Sequence, residues 1–365
     1  MKKLALSLLG AVAAVAIAGP ALAQAKKPVN IYIWNDYLGE TTLADFSKAT
    51  GAETKVDLYD SLELLEQKVL VGKSGYDVIV PTAEPTLSRL IQAKVVGPLD
   101  KSKIPNIKNL DPKVLKLLEN SDPGNKFAVP YLGGTVGIAI IPEKIKAVAP
   151  DVPLDSWDLI FKPEVAKKVA ACGITVMDSA IDVIPSVLNY LGLDPNSEKK
   201  EDLEKVEKTL LAVRPYIKQF VTGQNINILA GGDACVVMAY NGDAIQGAAR
   251  AEEAKSAKVE YVTPKEGVQV WWDTLAVPAD APNKEGAYQF INFVLDPANT
   301  ANISNTVRYA NAVPGSLATV ADDIKGNPGI FLPTDSAIKL FSLKSIKQST
   351  DRARTRVWTK VKTGK

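Results

Sequence analysis

Val29-Asn30-Ile31-Tyr32-Ile33-Trp34-Asn35-Asp36-Tyr37 is the stretch on which the fold turns. Val29, Ile31 and Ile33 point one way and Asn30 and Tyr32 the other, the period of two that marks a half-buried strand. Gly39 follows, and Thr41-Thr42-Leu43-Ala44-Asp45-Phe46 opens a helix. Trp34-Asn35-Asp36-Tyr37 therefore lies on a strand-to-helix loop, where α/β folds place ligand groups. A carboxylate between two aromatic rings suits a cation: the acid supplies charge and the rings supply π faces. The same residues also serve a plain connector, with Trp34 and Tyr37 packing the loop edge and Asp36 capping the helix. The remainder of the chain decides between these uses.

Upstream of this strand, residues 1–23 have the build of a secretory signal peptide. Lys2-Lys3 give a positive start, an apolar run reaches Ala18, and Ala21-Leu22-Ala23 is a cleavage site. Cleavage after Ala23 leaves 342 residues, with no further segment apolar enough to span a bilayer. The expected product is soluble, exported and periplasmic. Loss of Lys2 and Lys3 leaves 41 basic and 41 acidic residues, an even balance that argues against nucleic acid as a partner. Histidine is absent. That removes the usual general base, the Ser-His and Cys-His pairs and the commonest zinc ligand, and favours binding over catalysis. Cys172 and Cys235 make an even pair, which in an oxidising compartment reads as a disulfide; two buried thiols are the alternative.

A chain of this length fits two domains. Strand and helix patterns alternate along it. Thr54 to Tyr59 alternates as a strand, and Asp60-Ser61-Leu62-Glu63 reads as a capping box for a helix ended by Gly72. Asp77-Val78-Ile79-Val80 is an all-apolar central strand after its first residue, with Pro81-Thr82-Ala83-Glu84 as the loop beyond it. Gly133-Gly134 beside a long apolar run suits a hinge into a second lobe. Further strands are read at Cys172–Asp178, at the run ending in Tyr240, and at Gln269–Val277. The chain enters a second lobe and returns, so both lobes are discontinuous. One comprises 24–134 with about 265–312, the other 135–264 with about 313–365.

One pattern recurs at the strand ends: an aromatic residue with an acid close by. It appears at Trp34/Asp36/Tyr37, Tyr240/Asp243 and Trp271/Trp272/Asp273, with Asp178 and Asp182 at another strand-to-helix step and Tyr309 as a further ring. Carboxylates attract ammonium groups, and ring faces hold methylenes and cations. Acids at several strand ends meet more than one ammonium group, which selects an elongated polycation. Calcium fits poorly, since no D-x-[DN]-x-[DN]-G loop is present and the tryptophans suit a hydrated hard cation badly. Two carboxylates with stacking tryptophans leave a glycoside hydrolase as the enzyme alternative. No P-loop, dinucleotide fingerprint or G-x-S-x-G elbow occurs, so no metal or cofactor is expected.

These residues carry a resemblance. Ile33-Trp-Asn-Asp-Tyr37, Gly75-Tyr-Asp-Val-Ile-Val-Pro81, Pro153-Leu-Asp-Ser-Trp-Asp-Leu-Ile160, Leu188-Asn-Tyr-Leu-Gly192, Ala287-Tyr-Gln-Phe-Ile-Asn292 and the ending from Arg352 resemble the periplasmic polyamine-binding proteins of ABC transporters, chiefly the putrescine type. The resemblance spans the mature chain. It implies a two-lobed type II periplasmic-binding fold, each lobe a mainly parallel sheet flanked by helices, joined by two crossover segments with ligand in the cleft. It implies a monomeric receptor serving an inner-membrane permease, with a Cys172–Cys235 disulfide. Carried over by position, the ligand site is Trp34, Asp36, Tyr37, Thr82, Asp182, Tyr240, Asp243, Trp271, Asp273 and Tyr309. Asn35 stands where the putrescine type has a small serine, and Glu84 where it has a small residue. Tyr240 replaces a tryptophan and Trp271 a phenylalanine. Asp243 favours putrescine, while Glu84 keeps spermidine and agmatine open. The expected grouping sets Asp243 and Asp273 on one ammonium, with Asp36 and Asp182 nearer the other.

Overall fold

The structure, a computed structural model, describes residues 27–331 and 339–364. The expected signal peptide and its cleavage site lie outside these residues. The strands in chain order are β1 (Val29–Trp34), β2 (Thr54–Tyr59), β3 (Val78–Ile79), β4 (Ala128–Ile140), β5 (Ile174–Val176), β6 (Gln219–Phe220), β7 (Val236–Tyr240), β8 (Glu260–Val262), β9 (Val268–Ala276), β10 (Ala310–Asn311) and β11 (Leu340–Phe341). They join in one sheet whose main path runs β2-β1-β3-β9-β4-β7-β5-β6.

Strand direction divides that sheet. β2, β1 and β3 are parallel, and so are β7, β5 and β6. Parallel neighbours need crossovers, and helices supply them on the sheet faces. Between the two parallel wings lie β4 and β9, antiparallel to each other and to β7 and β3 respectively. This is the expected two-lobed α/β arrangement, with β4 and β9 as the segments that cross between wings. β4 is buried along all 13 residues, so its run of apolar and small side chains is what a strand covered on both faces requires.

Gly133-Gly134 falls inside β4, where the register against β9 shifts between Pro130 and Gly133. A Cβ at Gly133 would stand 2.6 Å from the Trp272 ring, and one at Gly134 2.2 Å from Asn241 Oδ1. These glycines let bulky neighbours approach the crossing strand.

Local caps follow the sequence with one shift. The helix after β2 is Leu62–Leu70, and its cap is Ser61, whose hydroxyl accepts from Leu64 N. Asp60, read as the start of a capping box, is one residue too early for that role and faces the space between the wings instead. Ser179 caps the helix Ala180–Tyr190 by accepting from Asp182 N, and its hydroxyl donates back to Asp182 Oδ2 at 2.7 Å. The C-terminal helix Gln348–Thr363 packs on Ala180–Tyr190 and Lys200–Val213, against the β5–β7 wing.

Cys172 and Cys235 form a disulfide with Cα atoms 5.5 Å apart. Cys235 directly precedes β7, and Cys172 stands one residue further from its paired neighbour β5. On a chain-entropy basis, closing a loop of this length stabilises the fold by ~4 kcal/mol.

Candidate functional site

A cleft of about 570 Å³ opens between the wings, at the C-terminal ends of β1, β2 and β7 and along β9. Strand ends in open α/β sheets leave such a crevice because the following helices diverge to either face. Eleven of the twelve residues singled out from the sequence line it: Trp34, Asn35, Tyr37, Thr82, Glu84, Asp182, Tyr240, Asp243, Trp271, Asp273 and Tyr309.

The twelfth, Asp36, does not. Its φ of 50° puts it in the left-handed region, which turns it off the line of β1. Its side chain is about half exposed and pairs with Arg250 of the helix Asn241–Glu253 at 3.3 Å. Asp36 therefore bridges the two wings at the rim. Its charge is felt by Asp243, so it lies on the Asp243 side of the cleft and not beside Asp182 as the sequence grouping had it.

Aromatic rings form a continuous wall. Tyr59 meets Trp34 at 4.6 Å, Trp34 meets Tyr240 at 6.1 Å, and Tyr240 meets Trp271 at 5.4 Å. Trp271 meets Tyr309 at 5.4 Å, and Tyr309 meets Tyr37 at 5.4 Å. The last four contacts are edge-to-face, the geometry in which a ring's positive edge faces a negative face. Six rings held this way present a fixed apolar and π-rich lining.

Three carboxyl groups sit within that wall. Asp182 accepts from Ser179 and Tyr240 hydroxyls on Oδ2, at 2.7 and 2.8 Å, and from the Gln269 amide on Oδ1 at 2.8 Å. Asp273 accepts from the Thr82 hydroxyl. Tyr37 and Trp34 also face Asp273, though neither polar atom reaches hydrogen-bond geometry. Asp243 accepts from the Tyr309 hydroxyl at 2.7 Å, and its own N–H donates back to that oxygen at 3.2 Å. Every donor is neutral. Among the described residues, none of the three carboxylates has a Lys or Arg within ion-pair distance.

Burial without a counter-charge disfavours ionisation. Asp273, 3% exposed, is pushed up to about 7, chiefly by desolvation. Asp243 keeps some exposure at the first turn of its helix, yet desolvation raises its carboxyl to about 7 as well. Desolvation also raises Asp182 above the usual carboxylate range. The cleft thus holds carboxyl groups whose ionised form burial disfavours, with only Arg250 acting on Asp243 from beyond ion-pair distance, and a cationic ligand would favour that ionised form.

Glu84 reaches the cleft, but hydroxyls occupy both of its oxygens: Ser88 at 2.7 Å and Ser345 at 3.0 Å. Asn35 lies at the seam between wings, its Nδ2 beside Gly223, where a Cβ would come within 3.1 Å of it.

Several lining residues escaped the sequence reading: Tyr59, Asp60, Leu62, Ile181, Thr222, Gly223, Gln269 and Leu343. Tyr59 and Asp60 follow the same strand-end rule that found Trp34 and were open to it. Gln269 opens the strand read at Gln269–Val277, but a neutral amide carries no charge signal. Leu343 arrives from a remote part of the chain, and no local pattern places it there.

A model of the bacterial extracellular solute-binding proteins matches residues 41–332. The chain is 47% identical over 363 residues to the putrescine-binding periplasmic protein PotF of Escherichia coli, covering 99% of this chain and 98% of that one. It is 42% identical over 367 residues to the putrescine-binding periplasmic protein SpuD of Pseudomonas aeruginosa, covering the whole of both. Among solved structures, a putative spermidine/putrescine ABC transporter protein from Listeria monocytogenes superposes with a TM-score of 0.83 at 28% identity, over 93% of this chain and 99% of that one. Fold, cleft and sequence agree: the chain belongs to the bacterial extracellular solute-binding protein family.

Proposed function

We propose that this protein captures putrescine, a short α,ω-diamine, in the interlobe cleft, in the periplasm, and delivers it as a monomer to an inner-membrane ABC permease. One observation carries the reading. Asp182 and Asp273 are buried and Asp243 is half-buried inside a six-ring aromatic wall, with neutral donors and, among the described residues, no Lys or Arg within ion-pair distance. A dication supplies the missing charge, and its methylenes pack on the rings. Asp243 and Asp273 receive one ammonium and the Asp182 side receives the other. Asp36 contributes from the rim, through the bridge to Arg250. The putrescine-binding relatives from Escherichia coli and Pseudomonas aeruginosa described above support the same ligand.

Within this reading, one lobe comprises 24–134 with about 265–312 and the other 135–264 with about 313–365, meeting along β4 and β9. Titration calorimetry with putrescine, cadaverine, agmatine and spermidine tests the proposal. Tightest binding of putrescine is expected. Absence of heat with all four would overturn it.

A further inference from the structure

Gln269 belongs to the cleft but to neither its acids nor its rings. It is 2% exposed, and its side-chain nitrogen donates to Asp182 Oδ1 at 2.8 Å. A carboxylate only accepts, so this bond fixes the amide: nitrogen towards Asp182, oxygen away from it. That oxygen, Gln269 Oε1, is buried without a donor. Unsatisfied acceptors of this kind are costly and call for a partner.

Other buried side-chain atoms in the cleft also lack partners: Trp34 Nε1, Trp271 Nε1 and the Tyr37 hydroxyl. The two indoles only donate, and so does an ammonium group. A cationic ligand leaves them as they are. Gln269 Oε1 is the pure acceptor of the set, and the group that a cation completes. Asp182 differs. Each of its oxygens already accepts at least one hydrogen bond from the protein itself.

Position along β9 adds a length. Gln269, Trp271 and Asp273 occupy alternate positions of β9 and all three line the cleft. Four residues of strand rise separate the first from the last by roughly 13 Å. A hydrogen bond of about 3 Å at each end leaves roughly 7 Å between two nitrogens. A chain of four or five methylenes fills that gap, lying over Trp271.

We propose that Gln269 Oε1 accepts a hydrogen bond from the ammonium remote from Asp243 and Asp273, and that Asp182 acts through Gln269 as a positioning residue. Gln269 then distinguishes a diamine from a monoamine. This inference rests on the diamine reading above.

The test compares putrescine with 1-aminobutane by calorimetry on the wild type, Gln269→Met, Asp182→Asn and the double variant. Gln269→Met keeps the side-chain length and loses the carbonyl. It is expected to weaken putrescine by about tenfold or more while changing 1-aminobutane by less than about twofold. Asp182→Asn frees the amide to turn its nitrogen to the ligand, with a similar loss for putrescine. The double variant is expected to bind putrescine within about twofold of the weaker single, since both act through one hydrogen bond. Equal losses for both ligands in Gln269→Met would overturn the role of Gln269, as would unchanged putrescine binding. Additive losses in the double variant would overturn the action of Asp182 through it. A wild type that gives no heat with putrescine overturns the diamine reading and this inference with it.

Discussion

Asp178 and Asp182 follow the same strand, β5, and end in opposite surroundings. Asp178 lies at the rim. Its carboxylate is 40% exposed, is held by Lys362 at 2.8 Å, and accepts from the Trp358 indole. Asp182 is 3% exposed and meets two hydroxyls and an amide. The contrast extends around the molecule. Rim acids have cations: Asp36 with Arg250, Asp351 with Arg89, Asp178 with Lys362. The cleft acids Asp182, Asp243 and Asp273 have hydroxyls and amides. A neutral donor orients a carboxylate without discharging it, and that is the state in which it attracts a cationic ligand.

The largest test of this contrast removes charge from each region in turn. Asp243→Asn and Asp273→Asn are each expected to weaken putrescine about 100-fold or more, as loss of a buried charge-assisted hydrogen bond does. Asp178→Asn should change affinity by less than about twofold, because its charge is already matched and partly solvated. Calorimetry on the three variants reads the difference. Comparable losses at Asp178 and Asp243 would erase the distinction between rim and cleft.

Proton uptake separates the regions next. Asp243 and Asp273 sit near 7 in the ligand-free fold, above the range of an unfolded aspartate. Between those values the folded state holds more protons than the unfolded one, so ligand-free stability falls as pH rises from about 4 through 7. Affinity moves oppositely: protonated carboxyls do not hold ammonium, and putrescine binding should weaken by about tenfold or more from pH 7.5 to 5.5. Thermal melts with and without ligand across that range check both slopes. A flat affinity profile would place the acids in their ionised state throughout.

Tyr240→Phe is a smaller probe. It deletes one neutral donor to Asp182 and leaves that oxygen with Ser179 alone. Loss of about 1–3 kcal/mol in unfolding free energy is expected, measured by denaturant titration. Smallest of all, Arg250→Ala breaks the half-exposed pair with Asp36. Exposed pairs contribute ~0–1 kcal/mol, so affinity should fall by no more than about fivefold, and less at high salt.

The strand ends were legible because aromatic and acidic residues recur there against an apolar background, and the β-α alternation located those ends. Placement within the cleft was legible only as far as period two reaches. In β9 that period puts Trp271 and Asp273 on the cleft face and Trp272 on the other. Asp36 shows the limit: a left-handed residue after β1 reverses where a side chain goes, and its neighbours do not announce it. Asp60 shows another, because a cap one residue further on freed it from the helix. Whether an acid finds a lysine, as Asp178 does from the last turn of the C-terminal helix, depends on contacts over 184 positions. Gln269 was silent for a different reason, since its meaning comes from the group behind it.

β9 does two things at once. It crosses between the wings, and it carries Gln269, Trp271 and Asp273 into the cleft. A pull on those side chains is applied close to the fulcrum, while the rim lies at the far end of a lever arm. Small displacements of a few atoms there are magnified across the outer surface of both wings. Under the proposed delivery role, a partner that reads only that outer surface would thereby sense whether a molecule of a handful of atoms is inside.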